Sequence, residues 1–82
     1  MSSGQSRTAI GSEFARLLKE ARKKQRLSLT VLAERAGVSR QAVSYIEREK
    51  QSPGLDTLVR ICAVLGVKLE KLIAEARKRA GG

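Results

Sequence analysis

Apolar residues recur along most of this chain at spacings of three and four positions, which is the period of an amphipathic α-helix. Five segments carry the pattern, and serine, glycine or proline residues stand at the breaks between them. The pattern therefore predicts an all-α fold with helices over about 8–25, 29–36, 40–48, 55–65 and 67–79. The first helix begins either at about residue 8 or at Ser12.

The segment 28–48, SLTVLAERAGVSRQAVSYIER, predicts two short helices joined by a tight turn. Ser28 and Ser39 each precede a helix, where a serine hydroxyl can accept a hydrogen bond from a free backbone amide. Gly37 follows the first helix and suits the left-handed backbone that ends a helix. The second helix turns its apolar side inward, and its outer side carries Arg40, Gln41, Ser44, Tyr45 and Arg48.

Both ends of the chain consist of small or polar residues. We expect residues 1–7 and 81–82 to be disordered, because termini with little apolar surface to bury tend to fray. Residues 8–80 would then form one domain.

The charge balance indicates a polyanionic partner. The 82 residues carry 17 Lys and Arg against 8 Asp and Glu, a net charge of +9. In so small a domain this favours nucleic acid. A membrane surface is the rival partner, but it calls for an amphipathic helix with aromatic anchors, and the chain has one Phe, one Tyr and no Trp.

The composition also argues against several other classes of protein. There is no apolar run of ~18 residues to span a membrane and no signal-peptide core. The single cysteine permits no internal disulfide, which fits the cytoplasm. We expect Cys62 to pack in the core. Without histidine, a phosphate-binding loop or paired carboxylates, we expect no enzyme activity, metal or cofactor.

The segment 28–48 resembles the helix-turn-helix of the phage repressor/Cro family, also called the Xre family of bacterial regulators. The resemblance extends from about residue 14 to residue 74. It implies a compact five-helix lambda-repressor-like DNA-binding domain with the helix-turn-helix as its second and third helices. It is carried by the small Ala33, the turn residue Gly37, the apolar Leu32, Val38, Val43 and Ile46, and the ending Ile46-Glu47-Arg48 with Lys50 and Pro53.

The resemblance implies that helix 40–48 enters the major groove of double-stranded DNA. Arginine can pair with guanine and glutamine with adenine through two hydrogen bonds each. For Tyr45 the alternative is a half-buried aromatic that covers the helix edge. Base contacts are expected from Arg40, Gln41, Ser44 and Tyr45. Contacts to the DNA backbone are expected from Ser28, Thr30, Ser39, Arg48, Lys50, Gln51 and Ser52.

The same resemblance implies a partly buried ion pair between Arg22 and Glu47, because a lone charge on the inner side of the third helix would be costly. Three positions depart from the family pattern. Leu29 stands where a glutamine usually contacts phosphate. Arg26 and Glu49 stand at turn positions that usually hold glycine, so either the backbone there is strained or the turn differs.

The fifth helix carries an apolar stripe, and related repressors often dimerise through this helix and the preceding turn. The alternative is that the stripe only completes the core, which we expect of Leu72. The expected dimer interface comprises Val67, Leu69, Ile73 and Ala76.

The predicted function is that of a sequence-specific transcriptional regulator, acting as a two-fold dimer on an inverted-repeat operator. It would need no small-molecule ligand and no membrane, and it would work in the cytoplasm on bacterial or phage DNA. The alternative is a protein-interaction adaptor or an antitoxin-type module that binds a partner protein through the same fold.

Overall fold

The computed structural model describes residues 9–50 and 52–81. These residues form five α-helices and no strand: α1 Ala9–Lys24, α2 Leu29–Ala36, α3 Arg40–Glu47, α4 Leu55–Leu65 and α5 Leu69–Arg79. The all-α, five-helix prediction is confirmed, with the helix-turn-helix as α2 and α3. The predicted N-terminal arm, residues 1–7, lies outside the described residues.

Three helix boundaries differ slightly from the prediction. The helix α1 ends at Lys24, one residue before the predicted end at Gln25. Arg48 is the C-cap of α3, so that helix ends one residue earlier than expected. Lys68 is the N-cap of α5, so that helix begins at Leu69. Beyond α5, Gly81, which we expected in a disordered tail, donates its amide to the carbonyl of Lys78 at 3.1 Å and closes a turn.

One apolar core joins the helices. Its members come from α1 to α4, and nearly all are aliphatic: Leu18, Leu32, Ala33, Ala36, Val43, Ile46, Ile61, Cys62 and Leu65. Full burial of a leucine, isoleucine or valine side chain contributes roughly 1.5–3 kcal/mol to the stability of the fold. The expectation that Cys62 packs in the core is confirmed, since it is only 2% exposed.

Local chemistry fixes the turn between α2 and α3. The hydroxyls of Ser28 and Ser39 accept the amide hydrogens of Val31 and Ala42 at 3.0 and 2.9 Å, which caps both helices. Gly37 ends α2 with a φ of 72°, in the left-handed region. Both helices therefore begin, and α2 also ends, where the sequence pattern places them.

The remaining helices support this pair. The helix α1 lies along α5 and also contacts α3, while α4 packs on α2. Because α5 lies so closely on α1, Ala76 is completely buried within the single chain. Ala76 has no surface to offer a second copy, so its assignment to the dimer interface was wrong.

Arg26 and Glu49 both adopt the left-handed backbone, with φ values of 59° and 58°. The turns therefore keep the geometry that glycine would adopt, and the chain accepts strain at both positions. Next to Arg26, the side-chain amide of Gln25 donates to the carbonyl of Leu65 at 2.6 Å. This bond pairs a carbonyl at the end of α4, which has no partner within its own helix.

Candidate nucleic-acid interface

One side of α3 packs in the core, and the other side faces outward. Val43 and Ile46 are buried in the core, at 0% and 5% exposure. Arg40 and Gln41 are exposed, and Ser44 and Tyr45 are half-buried. The structure thus brings the four predicted base-contacting residues together on the face of α3 opposite its core residues.

Two of these side chains bond to each other. The amide nitrogen Nε2 of Gln41 donates to the hydroxyl Oη of Tyr45 at 2.6 Å. The guanidinium carbon of Arg48 lies 5.9 Å from the centre of the Tyr45 ring, within the range of a cation–π contact. Beside them lies a shallow depression of about 210 Å³, lined by Ser39, Gln41, Ala42 and Tyr45.

An ion pair holds the end of α3 against α1. Nε and Nη2 of Arg22 donate to Oε2 and Oε1 of Glu47 at 2.7 and 2.9 Å. The remaining nitrogen, Nη1, donates to the carbonyl of Leu27 at 2.8 Å. The hydrogen bond with Glu47 raises the pKa of Arg22 and outweighs burial, which lowers it. Arg22 is therefore a permanently charged link between the two helices.

The loop after α3 is also tied to α1. The hydroxyl of Ser12 donates to Oε1 of Glu49 at 2.7 Å. The backbone amide of Lys50 donates to the carbonyl of Tyr45 at 2.8 Å, closing the end of the helix. The side chains of Lys50 and Ser52 are exposed beyond this turn. Gln51, predicted to contact the DNA backbone, lies outside the described residues.

The start of α2 offers hydroxyl groups near α3, against which α2 packs. Ser28 and Thr30 are exposed. The hydroxyls of Ser28 and Ser39 each accept one backbone amide as caps and keep their own proton for another acceptor. Leu29 instead packs against the core, half-buried. The substitution of leucine for the usual glutamine thus adds apolar packing at this position.

Three contacts were not predicted from the sequence: Gln41 with Tyr45, Ser12 with Glu49, and Gln25 with the Leu65 carbonyl. The first could have been predicted from the sequence, because residues four positions apart on a helix are neighbours on its surface. The other two join residues that are 37 and 40 positions apart in the sequence, and no local sequence pattern predicts such contacts.

In the described part of the chain, the Cys, Asp and Glu residues form no group of three that would hold a metal ion. None of the helices among residues 9–50 and 52–81 has the length and apolarity to cross a membrane.

Known proteins match most of this chain. Residues 18–72 match the family model described as helix-turn-helix. The immunity repressor protein of Bacillus phage phi105 is 34% identical over 58 residues, which are 71% of this chain and 40% of the repressor. The HTH-type transcriptional regulator SinR of Bacillus subtilis is 41% identical over 59 residues, which are 71% of this chain and 53% of SinR. The chain spans about half or less of these two relatives.

A solved structure of SinR, there described as the master regulator for biofilm formation, contains the protein in complex with DNA. It superposes on this chain with a TM-score of 0.69 and 38% sequence identity, covering 73% of this chain and 97% of that chain. The arrangement of helices described above is therefore one that has been solved with DNA bound in SinR.

Proposed function

Because this chain belongs to the helix-turn-helix family, we propose that it binds double-stranded DNA sequence-specifically and regulates transcription. The observation that carries the proposal is the outward face of α3, where Arg40, Gln41, Ser44 and Tyr45 stand together on a helix fixed by its buried side. These side chains are rich in hydrogen-bond donors and acceptors, which suits the edges of bases. The relatives are transcriptional regulators and repressors, not enzymes.

In the proposed complex, α3 lies in the major groove. Its first two residues carry most of the base reading: the Arg40 guanidinium to guanine and the Gln41 amide to adenine. Each such pair discriminates between bases by about 1–3 kcal/mol. Ser44 and Tyr45, one turn further on, complete the recognition surface.

The DNA backbone is held on both sides of α3. Hydroxyl groups at the helix starts and basic side chains after α3 are suited to phosphate oxygens. These contacts set the position of the protein but carry no sequence information. The proposed phosphate contacts are Ser28, Thr30, Ser39, Arg48, Lys50, Gln51 and Ser52.

We further propose that the protein acts as a two-fold dimer. Ile73 on α5 is 38% exposed, while Val67 in the preceding turn and Leu69 at the start of α5 are half-buried, so all three keep apolar surface for a second copy. Two recognition helices related by a two-fold axis would meet major grooves ~34 Å apart, on an inverted repeat. Such a protein would act in the cytoplasm, where bacterial or phage DNA is transcribed.

One observation favours the alternative, a protein-interaction adaptor. Leu55 and Val59, one turn apart on α4, are 70% and 50% exposed. Large apolar side chains exposed together are a common feature of protein-binding surfaces. The polar face of α3 weighs against this alternative, because its side chains can pair with the hydrogen-bonding groups on the edges of bases.

Selection from a randomised duplex pool tests the proposal, at about 150 mM salt because affinity depends on ionic strength. We expect an inverted repeat to be enriched. The variant Arg40→Ala/Gln41→Ala should lose the enrichment but keep most of the non-specific affinity. If the unmodified protein enriches no sequence and binds all duplexes weakly, the adaptor function replaces the proposed one.

A further inference from the structure

We propose that Tyr45 is a positioning residue, whose hydroxyl holds the amide of Gln41 over a single base pair. The inference rests on the proposed DNA-binding function and assigns Tyr45 a role different from that of a direct base reader. It starts from the 2.6 Å hydrogen bond in which Gln41 Nε2 donates to Tyr45 Oη.

The geometry of the bond leaves Gln41 able to read adenine. A glutamine amide has two N–H donors and one carbonyl acceptor. The bond to Tyr45 uses one donor, so the carbonyl and the second N–H remain. These are the two groups that pair with N6 and N7 of adenine in the major groove. The hydrogen bond to Tyr45 therefore restricts where the amide lies without using up its base-reading groups.

Tyr45 is itself well held, which makes it a suitable anchor. Its ring is half-buried, and the guanidinium of Arg48 lies 5.9 Å from the ring centre. Gln41, in contrast, is exposed, and an unrestrained glutamine side chain samples many rotamers. Fixing the amide before DNA binds removes part of that entropic cost and prevents the side chain from reaching neighbouring base pairs.

The variant Tyr45→Phe tests the role directly, because it removes only the hydroxyl and keeps the ring beside Arg48. In the free protein, the side-chain amide proton signals of Gln41 should shift towards those of a solvent-exposed glutamine in the NMR spectrum. On the selected DNA site, the preference for adenine at the Gln41 position should fall about fivefold, out of the tenfold or more that a bidentate pair provides. Discrimination at the Arg40 position should change by less than about twofold.

Thr57→Val is the matched control, since it removes a hydroxyl on α4, from a residue outside the proposed DNA-contacting set. It should leave both the Gln41 amide signals and the adenine preference unchanged. A double-mutant cycle separates positioning from direct reading. With Gln41→Ala already in place, Tyr45→Phe should cause no further loss of discrimination.

Two outcomes overturn the inference in distinguishable ways. If the unmodified protein discriminates between bases, but Tyr45→Phe reduces discrimination equally with and without the Gln41→Ala substitution, Tyr45 reads DNA itself and only the positioning role fails. The same holds if Tyr45→Phe leaves the Gln41 amide signals and the adenine preference unchanged. If the unmodified protein discriminates nowhere, the proposed function fails, and the positioning role fails with it.

Discussion

Arg22 and Glu47 form a two-bond ion pair that fixes α1 to the end of α3, with N–O distances of 2.7 and 2.9 Å. The side chains are only 11% and 4% exposed. The Arg22 guanidinium is tolerated away from water because it donates hydrogen bonds to Glu47 and to the Leu27 carbonyl. The pair therefore sets the orientation of α3 through contacts that do not reach its outward polar face.

Glu47→Gln should destabilise the fold, since it leaves the buried Arg22 charge without a counter-charge. We expect the free energy of unfolding to fall by about 2–3 kcal/mol. For a domain of this size the melting temperature would fall by roughly 10–20 °C. Thermal unfolding followed by circular dichroism measures the change.

Glu20→Gln is the matched control for that substitution. Glu20 pairs with Arg79 at 3.5 Å, but the two side chains are 54% and 38% exposed. Exposed pairs contribute little to stability, so this variant should melt close to the unmodified protein. Equal effects of the two substitutions would mean that burial does not strengthen the Arg22–Glu47 pair.

Arg26→Gly should stabilise the protein, because Arg26 has a φ of 59°. Relief of left-handed strain is expected to exceed the entropic cost of glycine, for a net gain of about 0.5–1 kcal/mol. Glu49→Gly relieves the same strain at φ 58° but loses the bond from Ser12, so its gain should be smaller. Urea denaturation would compare both with Arg26→Ala, which keeps the strain and should show no gain.

Cys62 should react slowly with thiol reagents while the protein is folded. Burial, with a smaller contribution from Glu70, raises the pKa of its thiol. The folded protein therefore favours the neutral thiol. The stability that depends on this neutral form is fully present below the usual thiol pKa of ~8.5, and it is lost as the pH rises through the higher pKa of Cys62 in the folded protein. Maleimide should label Cys62 at pH 8 only when the fold opens transiently. Labelling should therefore be faster in the destabilised variant Glu47→Gln. Rapid labelling of the unmodified folded protein would contradict this burial.

Lys50→Ala should weaken binding to all duplexes about equally. If Lys50 contacts one phosphate, the slope of log affinity against log salt concentration should fall by about one unit. Lys71→Ala makes the same charge change on α5 and should leave the slope unchanged. The salt dependence can be measured by fluorescence anisotropy, and an unchanged slope for Lys50→Ala would remove that residue from the interface.

Ile73→Lys should weaken self-association, because it places a charge in the proposed dimer interface. Sedimentation should show more monomer, and binding to an inverted repeat should weaken more than binding to a single half-site. Val59→Lys adds the same charge to the exposed apolar surface of α4. If Val59→Lys disrupts the dimer and Ile73→Lys does not, the two copies associate through α4.

The sequence alone determined the helices and the turn between α2 and α3. Apolar spacing, the caps Ser28 and Ser39, and Gly37 act within a few residues of one another, so they can be read along the chain. The outward polar face of α3 follows from the same helical period. Arg22 and Glu47 were paired through the resemblance to repressors, although they lie 25 positions apart.

Only the tertiary structure decided which residues of a helix face are buried and which distant residues contact each other. Ala76 lies on the same sequence stripe as Ile73, yet one is completely buried and the other is 38% exposed. The bonds from Ser12 to Glu49 and from Gln25 to the Leu65 carbonyl also depend on how distant helices meet. A helical period specifies which residues share a face, but it does not specify how much of that face a neighbouring helix covers, because packing angles and distances are set by the whole core.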